Sequence, residues 1–152
     1  MRVACVQLNS SSDVRRNLAL VDRQLELAHS ANVDVVLLPE NFAQMPVSSD
    51  ERHSELWLPS HPETEAPVQR FLSDAAARHK LTIIAGSVPI KLRPEQSKPF
   101  ARCIVINADG MIAARYDKLH LFDVSTGHLT YRESDDFQIG SLEQMVSTPA
   151  QN

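Results

Sequence analysis

The sequence predicts an α/β protein, and three observations carry that prediction. First, the strand-like run Val3-Ala4-Cys5-Val6-Gln7-Leu8 is followed by an amphipathic helical stretch and then by a second apolar run, residues 33–38. Strand–helix–strand is the unit from which a parallel pair is built. Second, residues 33–38 are almost continuously apolar, as a strand covered on both faces should be. Third, two later strand-like runs, 101–107 and 111–117, meet at Ala108-Asp109-Gly110, a hairpin signal.

Each element has a local reason. Residues 2–8 are β-branched and apolar and read as a buried strand. Ser11, Ser12 and Asp13 offer oxygens that cap a helix N-terminus. Val14, Leu18, Val21, Leu25 and Ala28 then recur at steps of four and three, which places one helix face over residues 13–31. Residues 41–63 carry Pro46, Pro59 and Pro62 and read as a long loop, of the kind that often lines sites after strand ends. Pro67 suits the first turn of a second helix with Val68, Phe71, Leu72, Ala75 and Ala76 as its apolar stripe. Residues 81–88 form a third strand, and Gly86 within it implies a close backbone approach. Residues 89–100 read as a loop, residues 119–140 as irregular chain with Gly127 and Gly140, and residues 141–152 as a polar stretch without a helical or strand stop. No repeat, low-complexity tract or internal boundary divides the chain, so residues 1–152 are expected to form one domain.

Composition narrows the function. An apolar content of 43% with 22% charged residues is that of a soluble globular protein able to bury a core. A net charge of −4, with no basic run interleaved with aromatics, argues against a nucleic-acid surface. No stretch approaches the roughly 18 apolar residues of a membrane span, and the N-terminus lacks the apolar core and cleavage site of a signal peptide. Two cysteines outside any metal-like spacing fit a reduced, cytoplasmic protein without disulfides. No metal or organic cofactor is expected.

The chemistry concentrates at two strand ends. Glu40 closes the apolar run that ends Leu37-Leu38-Pro39, and Lys118 closes the run through Arg115-Tyr116-Asp117. A carboxylate and an ammonium at one edge of an α/β sheet suit an acid/base site, with Glu40 as base, its pKa raised by burial, and Lys118 facing developing negative charge. The plain alternative is a solvated carboxylate and a lysine in a surface pair. Asn41 and Phe42 follow the base directly and are candidates to shape the pocket, and His120, two residues past Lys118, is the histidine placed to line it. The other histidines fall in helices or loops without a metal-site spacing, and Trp57 and Tyr131 read as loop packing. A base and a cation still need a nucleophile. Cys5 and Cys103 are the only thiols, and each lies in an apolar strand run where a free cysteine is an inert core side chain.

In their order and flanks, Leu37-Leu38-Pro39-Glu40-Asn41 and Arg115-Tyr116-Asp117-Lys118-Leu119-His120-Leu121-Phe122-Asp123 resemble the nitrilase superfamily of carbon–nitrogen hydrolases. The opening strand, Ile84-Ala85-Gly86-Ser87 and the Asn107-Ala108-Asp109-Gly110 turn are similar to that family too. The resemblance implies an α-β-β-α layered sandwich, of which this chain is the N-terminal part, and hydrolysis through a Glu, a Lys and a Cys in that order. It adds Glu133, in Arg132-Glu133-Ser134, as a second carboxylate that positions substrate and supports the lysine. The branch it most resembles hydrolyses small ω-amides, including deaminated glutathione. The family's cysteine follows a strand often preceded by Thr-Pro; here Thr148-Pro149 is present and the thiol is not, so the chain is expected to be incomplete and inactive alone. The expected partners are a small amide substrate and either further copies of the chain, as a homo-oligomer, or a second polypeptide supplying the C-terminal half. The other reading is a truncated, non-catalytic homologue that binds a small ligand or a partner.

Overall fold

In the computed structural model, residues 1–141 are described; the expectations for the polar end of the chain, Thr148-Pro149 included, lie outside them. The first helix forms where the periodicity puts it. Helix α1 spans Val14–Ser30, capped by Asp13, whose side chain accepts the Arg16 N–H at 3.1 Å. Leu18, Val21, Leu25 and Ala28 are buried. Helix α2 spans Pro67–His79 with proline at its start, but the residue before it supplies no side-chain cap. Glu55, in the two-residue strand β3 (Glu55–Leu56), does that job. Its carboxylate is buried and accepts the N–H groups of Val68 at 2.7 Å and Gln69 at 3.1 Å. The His53 ring lies 3.2 Å from the same carboxylate, and that hydrogen bond holds His53 above its ordinary pKa.

The main sheet has the order β1 (Val3–Cys5), β2 (Val35–Leu37), β4 (Thr82–Lys91), β5 (Phe100–Ile106), β6 (Ile112–Asp117), with β3 alongside the far end of β4. β1, β2 and β4 are parallel, while β5 is antiparallel to both β4 and β6. Two reversals restore direction, so β6 runs the same way as β2 and their C-terminal ends reach the same edge. That edge receives both Glu40 and Lys118. Residues of α1, α2, β2, β4 and β5 form one core in which Val21, Leu25, Val36, Leu72, Ile83 and Ile90 are fully buried. At roughly 1.5–3 kcal/mol per buried aliphatic side chain, this layer is the main source of stability.

Four expectations need correction. β1 is not buried: it is the edge strand of the described sheet, with Val3 49% exposed and Cys5 exposed. β2 is fully buried on one face only, since Val35 and Leu37 are half-buried beside Val36. β4 does not stop at Val88: the register shifts between Ala85 and Val88, and the strand continues through Pro89 to Lys91. Residues 119–140 are not irregular throughout. They form a second, two-stranded sheet, β7 (Asp123–Thr126) with β8 (Leu129–Arg132), followed by a short 3-10 turn over Glu133–Asp135.

Candidate active site

Glu40 reaches its position because the chain leaving β2 crosses the middle of β4, where the register shifts. Gly86 makes that crossing possible: a Cβ there would lie 2.3 Å from the Pro39 carbonyl oxygen. Beside it, Ser87 Oγ accepts the Asn41 N–H at 3.1 Å, and Asn41 adopts the left-handed conformation at φ 55°. Asparagine is among the few residues that tolerate that region at low cost. The predicted pocket residue Asn41 is therefore the pivot that directs the chain away from Glu40.

Lys118 is fixed from both sides of its backbone. Its N–H donates to the Ala101 carbonyl and its own carbonyl accepts the Gly140 N–H, each at 3.0 Å. Immediately before it, Asp117 is fully buried and grips Arg102, Nε to Oδ1 at 2.6 Å and Nη2 to Oδ2 at 2.8 Å. The Arg102 guanidinium lies 4.5 Å from the centre of the Trp57 ring. Trp57 thus packs as expected, but against a buried cation. The Arg102–Asp117 pair is a buried support beside Lys118 that sequence reasoning missed. Its signal was the register of the hairpin, which sets residue 102 opposite residue 117.

Two carboxylates meet on the Lys118 ammonium. Nζ donates to Glu40 Oε1 at 2.8 Å and to Glu133 Oε2 and Oε1 at 2.9 and 3.1 Å. The two carboxylates are unlike. Glu133 is 8% exposed and also accepts the Phe122 N–H at 2.6 Å, whereas Glu40 makes one contact and is 53% exposed. The burial expected for Glu40 is absent among the described residues, because it lies beyond the last paired residue of β2. Burial pulls the Lys118 pKa down most, but the hydrogen bonds and charges of Glu133 and Glu40 together outweigh it and hold the ammonium above its ordinary value. One cation thus faces two carboxylates, one buried and one half-exposed.

The turn that holds Glu133 is itself tied. Asp123 accepts the Ser134 hydroxyl at 2.6 Å and its N–H at 3.0 Å, and these bonds, the hydroxyl first, hold the Asp123 carboxyl below its usual range. His120 is exposed and makes no hydrogen bond or ion pair among the described residues. Phe42 is fully buried in the core, so it acts on any pocket through packing alone. Cys103 is half-buried, which pushes its thiol pKa up and away from the reactive thiolate. Among the described residues, no three His, Cys, Asp or Glu side chains group as a metal cage.

The family model for carbon–nitrogen hydrolases matches residues 2–151. The chain belongs to that family. This carbon–nitrogen hydrolase chain is 31% identical over 149 residues to the deaminated glutathione amidase of Yersinia enterocolitica, covering 97% of itself and 50% of that protein. It is 32% identical over 154 residues to the ω-amidase NIT3 of Saccharomyces cerevisiae, with coverage of 97% and 51%. It thus spans about half the length of these relatives, their N-terminal half. The crystal structure of S. cerevisiae Nit3, described as a member of branch 10 of the nitrilase superfamily, superposes with a TM-score of 0.69 at 28% identity, over 91% of this chain and 48% of that one. The Caenorhabditis elegans NitFhit structure superposes at 0.77 with 24% identity, over 91% and 33%, a likeness of fold. The nitrilase fold and family expected from the sequence are borne out.

Proposed function

We propose that this chain carries the base and the cation of a small-molecule amidase that cleaves a terminal amide to a carboxylate and ammonia. The observation that carries this reading is the convergence of Glu40 and Glu133 on the Lys118 ammonium at 2.8–3.1 Å. Amide carbon is a poor electrophile, so its hydrolysis calls for an activated nucleophile, a proton acceptor and a cation where the oxyanion forms. Glu40, half exposed and singly bonded, is the acceptor, first for the nucleophile's proton and then for that of the hydrolytic water. Lys118 stabilises the tetrahedral oxyanion, a role worth about 3–4 kcal/mol by analogy with a single oxyanion donor. Glu133 holds Lys118 charged and aimed. The names of the relatives support a small ω-amide as substrate.

The nucleophile is a thiol outside these 152 residues, in continuous chain or on a second polypeptide, and attack on the carbonyl gives a thioester with loss of ammonia. The two thiols present are free and suit a reducing compartment such as the cytoplasm. No helix among the described residues is long and apolar enough to cross a membrane. Assembly into a homo-oligomer is part of the same proposal. The purified 152-residue chain is expected to release no ammonia from ω-amides. Turnover that persists in the Cys5→Ser, Cys103→Ser double variant would overturn the thiol mechanism. Saturable amide binding without turnover, unchanged when a thiol-bearing C-terminal half is supplied, would instead favour the non-catalytic binding module.

A further inference from the structure

A second cleft lies beside the Glu133 turn, and its donors outnumber their partners. It is a half-open cleft of about 220 Å³ lined by Arg52, Ser54, Lys91, Ser97 and Lys98, with Asp135 of the turn and Asp136 just after it as its remaining polar wall. Arg52 is its built part. The side chain is 12% exposed, Nη2 donates to Asp136 at 3.1 Å, and the guanidinium lies 4.5 Å from the centre of the Phe137 ring. Its Nε is buried with no acceptor among the described residues. The side chains of Lys91, Ser54 and Ser97 likewise make no hydrogen bond or ion pair among the described residues. Lys98 gives one of its three donors to the Ser134 carbonyl at 2.7 Å.

We infer that this cleft is a binding site for a small oxyanion, the carboxylate of an organic acid or a phosphate group. Three cations face two carboxylates there, and Asp136 is already neutralised by Arg52. The exposed Asp135 stays hydrated, so the remaining field favours an anion. At about 30 Å³ per water, the space admits either group with part of its hydration. Arg52 supplies a planar donor edge and Lys91 and Lys98 supply point charges, the usual division of labour at oxyanion sites. The cleft also borders the turn that carries Glu133. Lys98 donates to the Ser134 carbonyl, within the turn begun by Glu133, and Arg52 donates to Asp136, just after that turn. The inference does not depend on the amidase reading, because none of the cleft's donors touches Glu40, Lys118 or Glu133.

The test is amide-resolved NMR titration of the whole 152-residue chain at constant ionic strength. Inorganic phosphate is the titrant in one arm, glutarate in a second and sodium chloride in the control. Saturable shifts are expected at residues 52–54, 91 and 97–98, spreading to 133–136, with affinity falling about tenfold in Lys91→Gln, the loss of one charge-assisted hydrogen bond. Lys91 has no protein partner to leave behind, so this variant keeps its fold; Arg52→Gln is the second variant and removes the orphaned Nε. Saturation by phosphate alone assigns a phosphate site, by glutarate alone a carboxylate site, and by both a general oxyanion site. Shifts that track the chloride control in both arms overturn the inference, as does saturation that neither substitution weakens.

Discussion

Lys118 is shared unequally between its two carboxylates, and in the proposed reaction that inequality divides their roles. Glu133 gives it both oxygens from a buried position, while Glu40 gives it one oxygen from a half-exposed position. Glu133→Gln is therefore expected to lower the Lys118 pKa more than Glu40→Gln does, as followed by the 13C shift of lysine Cε against pH. Equal shifts would contradict the division of roles. The sign for stability follows from the raised pKa. Lys118 contributes its stabilisation fully below the unfolded-lysine value of about 10.4, and that contribution is lost as pH rises through the folded value. Urea midpoints should fall above that pH, and less steeply in Glu133→Gln. Behind Lys118, the Arg102–Asp117 pair is almost wholly withdrawn from water. Asp117→Asn strands a buried guanidinium and is expected to cost about 3–5 kcal/mol in denaturant unfolding. Replacing both partners with apolar residues should recover much of that, which separates the pair's own worth from the cost of an orphaned charge.

At the scale of elements, glycine decides where Glu40 can go. Gly86→Ala places a methyl within 2.3 Å of the Pro39 carbonyl. It is expected to destabilise the chain by about 1–3 kcal/mol through overpacking and to move Glu40 away from Lys118, visible as a lowered Lys118 pKa. An alanine variant with wild-type stability and an unchanged Lys118 would refute the crossing as the device that positions the base. This close approach was legible in the sequence, as were both helices and the hairpin of β5 and β6, because each rests on a local signal: a cap, a 3.6-residue stripe, an Asp-Gly turn. The β7–β8 hairpin was not legible. Its residues are mostly exposed, as in the exposed, half-buried, exposed, exposed run of β7, so no buried face imposes an alternation on the sequence. β3 was missed for the opposite reason: with two residues it is too short to carry a period, and its Glu55 looks like a loop acid until α2 is seen to need a cap. Glu40 and Lys118 could be read from strand ends. Arg102 could not, since a charge within an apolar run reads as solvent-facing until its partner across the hairpin is known.

For the whole molecule, topology does the chemical work. Two reversals between β4 and β6 bring a residue near position 40 and one near position 118 to one sheet edge, and the later hairpin folds Glu133 back onto them. The chain covers about half the length of the relatives it matches. The most direct measurement is ammonia release from a small ω-amide by residues 1–152 continued into the C-terminal half of the S. cerevisiae ω-amidase. It should be made on a chimera that unfolds in a single cooperative transition, beside its Glu40→Gln and Lys118→Met variants. The predicted result is turnover that falls by about 10²–10³ in either variant. A folded chimera without turnover, or turnover that survives either substitution, would contradict the assignment of Glu40 and Lys118 as base and oxyanion cation.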